Sequence, residues 1–182
     1  MRIFPHVVLC ALLLPAGLAD VRSCACDPAK PETMEARECS LCRVADSQPE
    51  GTRFFFVRDA NPSKPNRLLV LPRFHRRNPQ DLSEMTAEER TAYWTAAIAK
   101  ARELWGDDWG LAINSLDRRT QCHMHIHIGK LRQDVEKETF VLVDGPASIP
   151  LPREADGMWV HPAGGRLHVH SGDPAPELLL ER

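Results

Sequence analysis

Residues 121–130 read QCHMHIHIGK, with histidine at 123, 125 and 127 and apolar or cysteine side chains at the positions between. This run constrains the chain more than any other. A strand has a side-chain period of two, so His123, His125 and His127 share one face while Cys122, Met124, Ile126 and Ile128 share the other. One face is then core and the other a row of imidazoles. Imidazole is a nucleophile and an acid/base near neutral pH, and it can donate to phosphate oxygens, which suits phosphoryl chemistry. The competing chemistry is a zinc site with water as nucleophile. The simplest reading is a solvated strand, disfavoured because imidazoles among apolar residues are costly to bury without a task.

The rest of the chain supplies a sheet around that strand. Further strands are expected at residues 53–57 and 67–71, either side of the turn-rich DANPSKPN, and at 110–114 and 139–143. A helix over residues 86–105 opens with a Thr86/Glu89 capping box and closes at Gly106. Its apolar stripe is Trp94, Ala97, Ile98, Ala101, Leu104 and Trp105, one face to bury. The Phe54–Phe56 run reads as core. A hairpin is expected at 158–161 and 166–170 around Gly164-Gly165, and a surface position is its default. The fold expected is α+β: an antiparallel sheet of about five strands, the helix on one face and the histidine row on the other.

At 182 residues with 43% apolar content, the chain is sized for a single domain. A net charge of −2 argues against nucleic acid as a partner. The first residues, MRIFPHVVLCALLLPAGLAD, combine one basic residue, a short apolar run and small residues at Gly17 and Ala19, so residues 1–19 read as a signal peptide and the chain as exported, periplasmic or secreted. Residues 20–50 form a loop-rich, cysteine-containing segment with one helical turn near 33–38, residues 51–145 the catalytic core, and 146–182 a C-terminal extension. Cleavage leaves Cys24, Cys26, Cys39, Cys42 and Cys122, an odd number for an oxidising compartment, and Cys122 is the candidate unpaired thiol.

FVRDANPSKPNRLLVLPRFH, residues 56–75, and HMHIHIG, residues 123–129, together resemble the histidine-triad (HIT) superfamily. Within it, GLAINSLDRRTQCHMHIHIGKLRQDV, residues 110–135, is similar to the bacterial CDP-diacylglycerol pyrophosphatase branch. The resemblance implies a HIT-like domain that hydrolyses a nucleotide pyrophosphate, CDP-diacylglycerol first, to CMP and phosphatidate. It implies that His125 attacks phosphorus and carries a nucleotidyl intermediate. His127 and His123 would contact substrate, Asn114, Thr120 and Gln121 would orient the imidazole and a phosphate oxygen, and Asp59 would bind ribose hydroxyls. Phosphoryl transfer needs positioning and charge stabilisation above all, so no cofactor is required for the chemistry.

The resemblance also implies a structural zinc held by Cys39, Cys42, His75 and His123, a closed Cys2His2 set. Two disulfides joining Cys24 and Cys26 to Cys39 and Cys42 would tether the same segment. A lipid substrate calls for peripheral membrane contact, to which Lys130 and Arg132 could contribute. Soluble dinucleoside polyphosphates, nucleotide sugars and phosphoramidates suit the same nucleophile. An exported metal-binding protein without turnover is the reading of a different class. His161, His168 and His170 receive no role from the resemblance.

Overall fold

The structure, a computed structural model, describes residues 21–75, 80–153 and 156–182. The signal-peptide reading of residues 1–19 lies outside the described residues. Among the described residues, two α-helices, α1 (Ser40–Asp46) and α2 (Ala87–Trp105), flank a seven-stranded antiparallel sheet. The strands are β1 (Phe54–Arg58), β2 (Leu68–Pro72), β3 (Trp109–Ile113), β4 (Ile126–Lys130), β5 (Val141–Val143), β6 (Met158–Ala163) and β7 (Arg166–Ser171). Their order is β1-β2-β4-β3-β6-β7-β5. The sheet exceeds the expected five strands because the C-terminal hairpin pairs with β3 through Leu111↔Val160 and Ala112↔Trp159. It extends the core sheet instead of lying on the surface.

The capping box of α2 forms as its sequence predicts, with the Thr86 hydroxyl accepting from the Glu89 N–H and the Glu89 carboxylate accepting from the Thr86 N–H. Tyr93, Trp94, Ala97, Ile98 and Ala101 are buried in a core shared with Val70, Leu111, Ile113, Ile126 and Ile128. Each of the fully buried aliphatic side chains contributes roughly 1.5–3 kcal/mol by leaving water. Leu104, assigned to the buried stripe, is instead 44% exposed, while its neighbour Trp105 packs against the core.

The opposite sheet face receives α1. Ala45, with Leu41 and Val44, packs on Phe55, Leu69 and Leu71. The strand period therefore splits the phenylalanine run: Phe54 stacks on Tyr93, Phe55 is buried against the α1 side, and Phe56 is exposed. The loop-rich reading of residues 20–50 missed α1, a helix of 7 residues without a side-chain cap. Short 3-10 turns at Pro31–Glu35 and Arg37–Cys39 lead into it.

Disulfides fasten this segment to the sheet. Cys24 is bonded to Cys122 and Cys26 to Cys39, and Cys42 is a buried free thiol. Cys122 is thus not the unpaired cysteine. Its backbone N–H donates to Glu38 O, which brings the 121–123 segment alongside the Cys24 and Cys26 loop.

Candidate functional site

The histidine run is strand only in its second half. β4 starts at Ile126, and His123 and His125 precede it. Period two still puts His125 and His127 on the face away from α2, their ring centroids 4.9 Å apart. His123 departs from the row. Its Nε2 donates to Pro72 O at 2.6 Å and its ring lies 4.4 Å from that of His75, so it is turned into the interior between β2 and the Cys42 side chain.

His125 and His127 open into a cleft of about 600 Å³. Asp59, Asn114, Thr120 and Gln121 line it as well, so the structure brings together every substrate-contact residue named from sequence except His123. His125 is buried, and its Nδ1–H donates to His123 O at 2.9 Å, which leaves the ring's lone pair on Nε2. Burial, reinforced by the cation of Arg119, pushes its pKa down to about 4. At neutral pH it is an uncharged imidazole of fixed tautomer. Burial, with the charge of His75 next, takes His123 down to about 3, and burial with His125 holds His127 well below its ordinary value.

Arg119 is the buried cation behind the row. It donates to Gln80 O at 2.7 Å and Cys122 O at 3.0 Å. Its type carried no signal of burial, because the two carbonyls that hold it come from separate segments.

Gln121 is committed to the N-terminal segment. Its Oε1 accepts from Ser40 Oγ at 2.8 Å and Leu41 N at 3.2 Å, and its Nε2 donates to Arg37 O at 3.1 Å. It positions the start of α1 over the cleft. Asn114 accepts from the Glu177 N–H at 3.3 Å and so holds the C-terminal segment against the end of β3. Asp59 accepts from the Asn61 N–H at 2.9 Å in a turn, while its other oxygen stands 4.0 Å from both His127 Nδ1 and Lys64 Nζ. Thr120 is exposed at the rim.

The C-terminal segment supplies what sequence reading did not find. Glu177 Oε2 lies 2.6 Å from Lys64 Nζ, 3.3 Å from Arg67 Nη1 and 3.6 Å from His127 Nδ1. Although burial raises its pKa, the Lys64 hydrogen bond and charge and the neighbouring Asn114 and Arg67 bring it net below the ordinary glutamate value. Arg67, 2% exposed, donates to Glu181 O at 2.9 Å and also to Leu180 O. Arg37, Arg58 and Arg118 add cationic groups to the cleft wall. Nothing in the local pattern around Glu177 marked it, since its function depends on a contact 113 residues away in sequence.

Two groups here have donor sets suited to a metal: Asp59, His127 and Glu177 in the cleft, and Cys42, His75 and His123 beneath it. The four-ligand set of Cys39, Cys42, His75 and His123 is not assembled, because the Cys39 sulfur is bonded to Cys26. The remaining donors do not make the closed Cys2His2 centre expected from the sequence. Both ring nitrogens of His75 and the Nδ1 of His123 are buried without hydrogen-bond partners.

Comparison of the sequence with known protein families and with curated proteins found no match.

Proposed function

We propose that the chain is an exported hydrolase of the histidine-triad type that cleaves the pyrophosphate of a nucleotide substrate, with CDP-diacylglycerol first among candidates. The reading rests on one observation: His125 sits in a cationic cleft as a neutral imidazole whose Nδ1–H is engaged, so its lone pair is on Nε2. The paired cysteines are compatible with an oxidising compartment. No helix among the described residues is long and apolar enough to cross a membrane.

In this mechanism the His125 Nε2 lone pair forms a bond to the α-phosphorus, and the bond from phosphorus to the bridging oxygen breaks. That oxygen leaves with its electrons on a phosphate monoester, phosphatidate for the lipid substrate. It is a good leaving group and demands no strong general acid. The imidazole becomes cationic as it is nucleotidylated, and the His123 carbonyl on Nδ1–H stabilises that charge. Water then bonds to phosphorus, the N–P bond breaks, CMP departs and the water proton passes to solvent. Arg37, Arg58, Arg118 and Lys64 neutralise phosphate charge, and Asp59, which lines the same cleft, would accept from ribose hydroxyls. His127, its ring 4.9 Å from that of His125, would contact the phosphate under attack.

The cleft lining favours a second reading on substrate. Its apolar members are Leu41, Ala60 and Leu69, a small apolar surface for a lipid, so a soluble nucleotide pyrophosphate fits the same walls. In the lipid reading only the head group enters, and the acyl chains stay in a bilayer touched peripherally.

The test is CMP release from CDP-diacylglycerol in mixed micelles, and nucleoside monophosphate release from soluble pyrophosphates, by wild type and His125→Ala. Loss of about 10³-fold or more in the variant, with its fold intact, is expected for removal of a nucleophile. Release from soluble substrates alone would select the second reading. Equal turnover by His125→Ala would overturn the nucleophile assignment, and no release from any substrate by wild type would overturn the enzyme reading.

A further inference from the structure

The C-terminal hairpin carries a second histidine cluster on the same sheet face as His127. Along one rung, His127 pairs with Ala112, Ala112 with Trp159, and Trp159 with His170. Three strand spacings, about 14 Å, thus separate the clusters. His161 lies directly opposite His168, and His170 is two residues along β7, so all three imidazoles project together. Glu136, from the connection between β4 and β5, closes the group.

The distances are those of a coordination sphere. His161 Nε2 is 3.2 Å from His170 Nε2 and 3.0 Å from Glu136 Oε2. His168 Nδ1 and His170 Nε2 are each 3.3 Å from Glu136 Oε1. A tetrahedral ion with ligands at about 2.0–2.1 Å sets its donors about 3.3 Å apart. The tautomers agree. His161 Nδ1–H donates to Pro162 O at 3.1 Å and His170 Nδ1–H to Thr139 O at 3.0 Å, which leaves both facing Nε2 atoms as lone pairs. Converging lone pairs and a carboxylate repel unless a cation lies between them, and carbonyls on the far ring nitrogens are the usual outer support of metal-bound imidazoles.

The rings are also fixed in advance. His170 stacks on Trp159 with centroids 3.8 Å apart, and His168 stacks on Phe140 at the same separation. Burial lowers the pKa of both His161 and His170, favouring the neutral, ligating form. Glu136 is half-exposed and gives an ion a way in.

We infer that Glu136, His161, His168 and His170 form a structural site for a divalent transition ion of zinc type, one that ties the β4–β5 connection to the C-terminal hairpin. Three imidazoles and one carboxylate fill all four positions, so the site is closed and structural, not catalytic.

The test is to strip metal from the purified mature chain, add Zn(II), dialyse, and measure bound zinc in wild type, Glu136→Gln and His168→Asn. Both substituted side chains are partly exposed, and the circular dichroism of each metal-free variant checks that the fold is kept. Wild type should retain one zinc per chain. Either variant should bind at least about 100-fold more weakly, beyond the 10–100-fold typical of losing an outer support. Co(II) in the same protein should give tetrahedral visible bands without thiolate-to-metal charge transfer. No retained zinc, unchanged affinity in both variants, or a thiolate band that places the ion at Cys42 would each overturn the assignment. None of these readouts uses hydrolysis.

Discussion

The Nδ1–H of His125 is bonded to the carbonyl oxygen of His123, two residues before it, at 2.9 Å. One backbone acceptor thereby sets which nitrogen of His125 carries the lone pair. The same burial and the charge of Arg119 keep the ring neutral, with a pKa lowered to about 4. In the proposed mechanism the active form is the unprotonated one, present above that pKa. The acid limb of kcat/KM should therefore fall near pH 4 and not near 6.5, with little loss between pH 8 and 5.5 on the most active substrate. A limb between pH 6 and 7 that shifts in Arg119→Gln would show His125 titrating as an ordinary imidazole.

Glu177 braces the C-terminal segment through Lys64 and the buried Arg67. Glu177→Gln keeps the shape and removes the charge, so the Lys64 and Arg67 contacts lose their carboxylate partner. The expected cost is about 1–3 kcal/mol. For a chain of this size that lowers Tm by about 3–10 °C. A variant that melts with wild type would show the brace to be energetically idle.

The element positions came through in sequence because they rest on local rules. The α2 capping box and the Gly164-Gly165 turn, both glycines at positive φ, are chemistry within a few residues. The alternation in residues 121–128 likewise foretold that His125 and His127 share a face. It failed at His123 because the chain is not yet strand there and the Pro72 carbonyl captures the ring. Glu177, Arg67 and Arg119 were not legible, since each acts through contacts set by tertiary pairing. The same holds for the cysteines: the family resemblance implied that Cys39 and Cys42 share a zinc, but the fold gives Cys39 to Cys26 and leaves Cys42 a free thiol.

That pairing makes a count. Burial pushes the Cys42 thiol up to about 12, offset only in part by Arg119, so it is protonated and shielded at pH 8. A chain of residues 20–182 should show no reactive thiol when folded and one when unfolded without reductant. Three reactive thiols would mean that one of the two bonds is absent. The bonds should also differ in value. Cys24–Cys122 spans 98 residues and Cys26–Cys39 spans 13, so chain entropy assigns about 4–5 kcal/mol to the first and about 3 to the second. Paired Cys→Ser variants compared by denaturant unfolding would measure the order.

Gly157 stands where the start of β6, the end of β3 and the C-terminal segment cross. A Cβ there would lie 2.1 Å from Asp173 O and 3.0 Å from both Ile113 O and Pro176 Cδ. Two of these neighbours are backbone oxygens and cannot swing aside, so Gly157→Ala must displace the segment that begins at Asp173 and carries Glu177. The expected cost is about 1–3 kcal/mol of overpacking. Because Asn114 holds Glu177 from the end of β3, the shift also reaches the cleft, and activity should fall along with stability. Gly145→Ala is the control: its backbone is extended and nothing lies within 4 Å of the added carbon, so it should stay within about 0.5 kcal/mol of wild type. Thermal unfolding and turnover of the two variants side by side would check this, and a Gly157→Ala protein as stable and active as the Gly145→Ala control would mean that the C-terminal segment does not press on β6 as described.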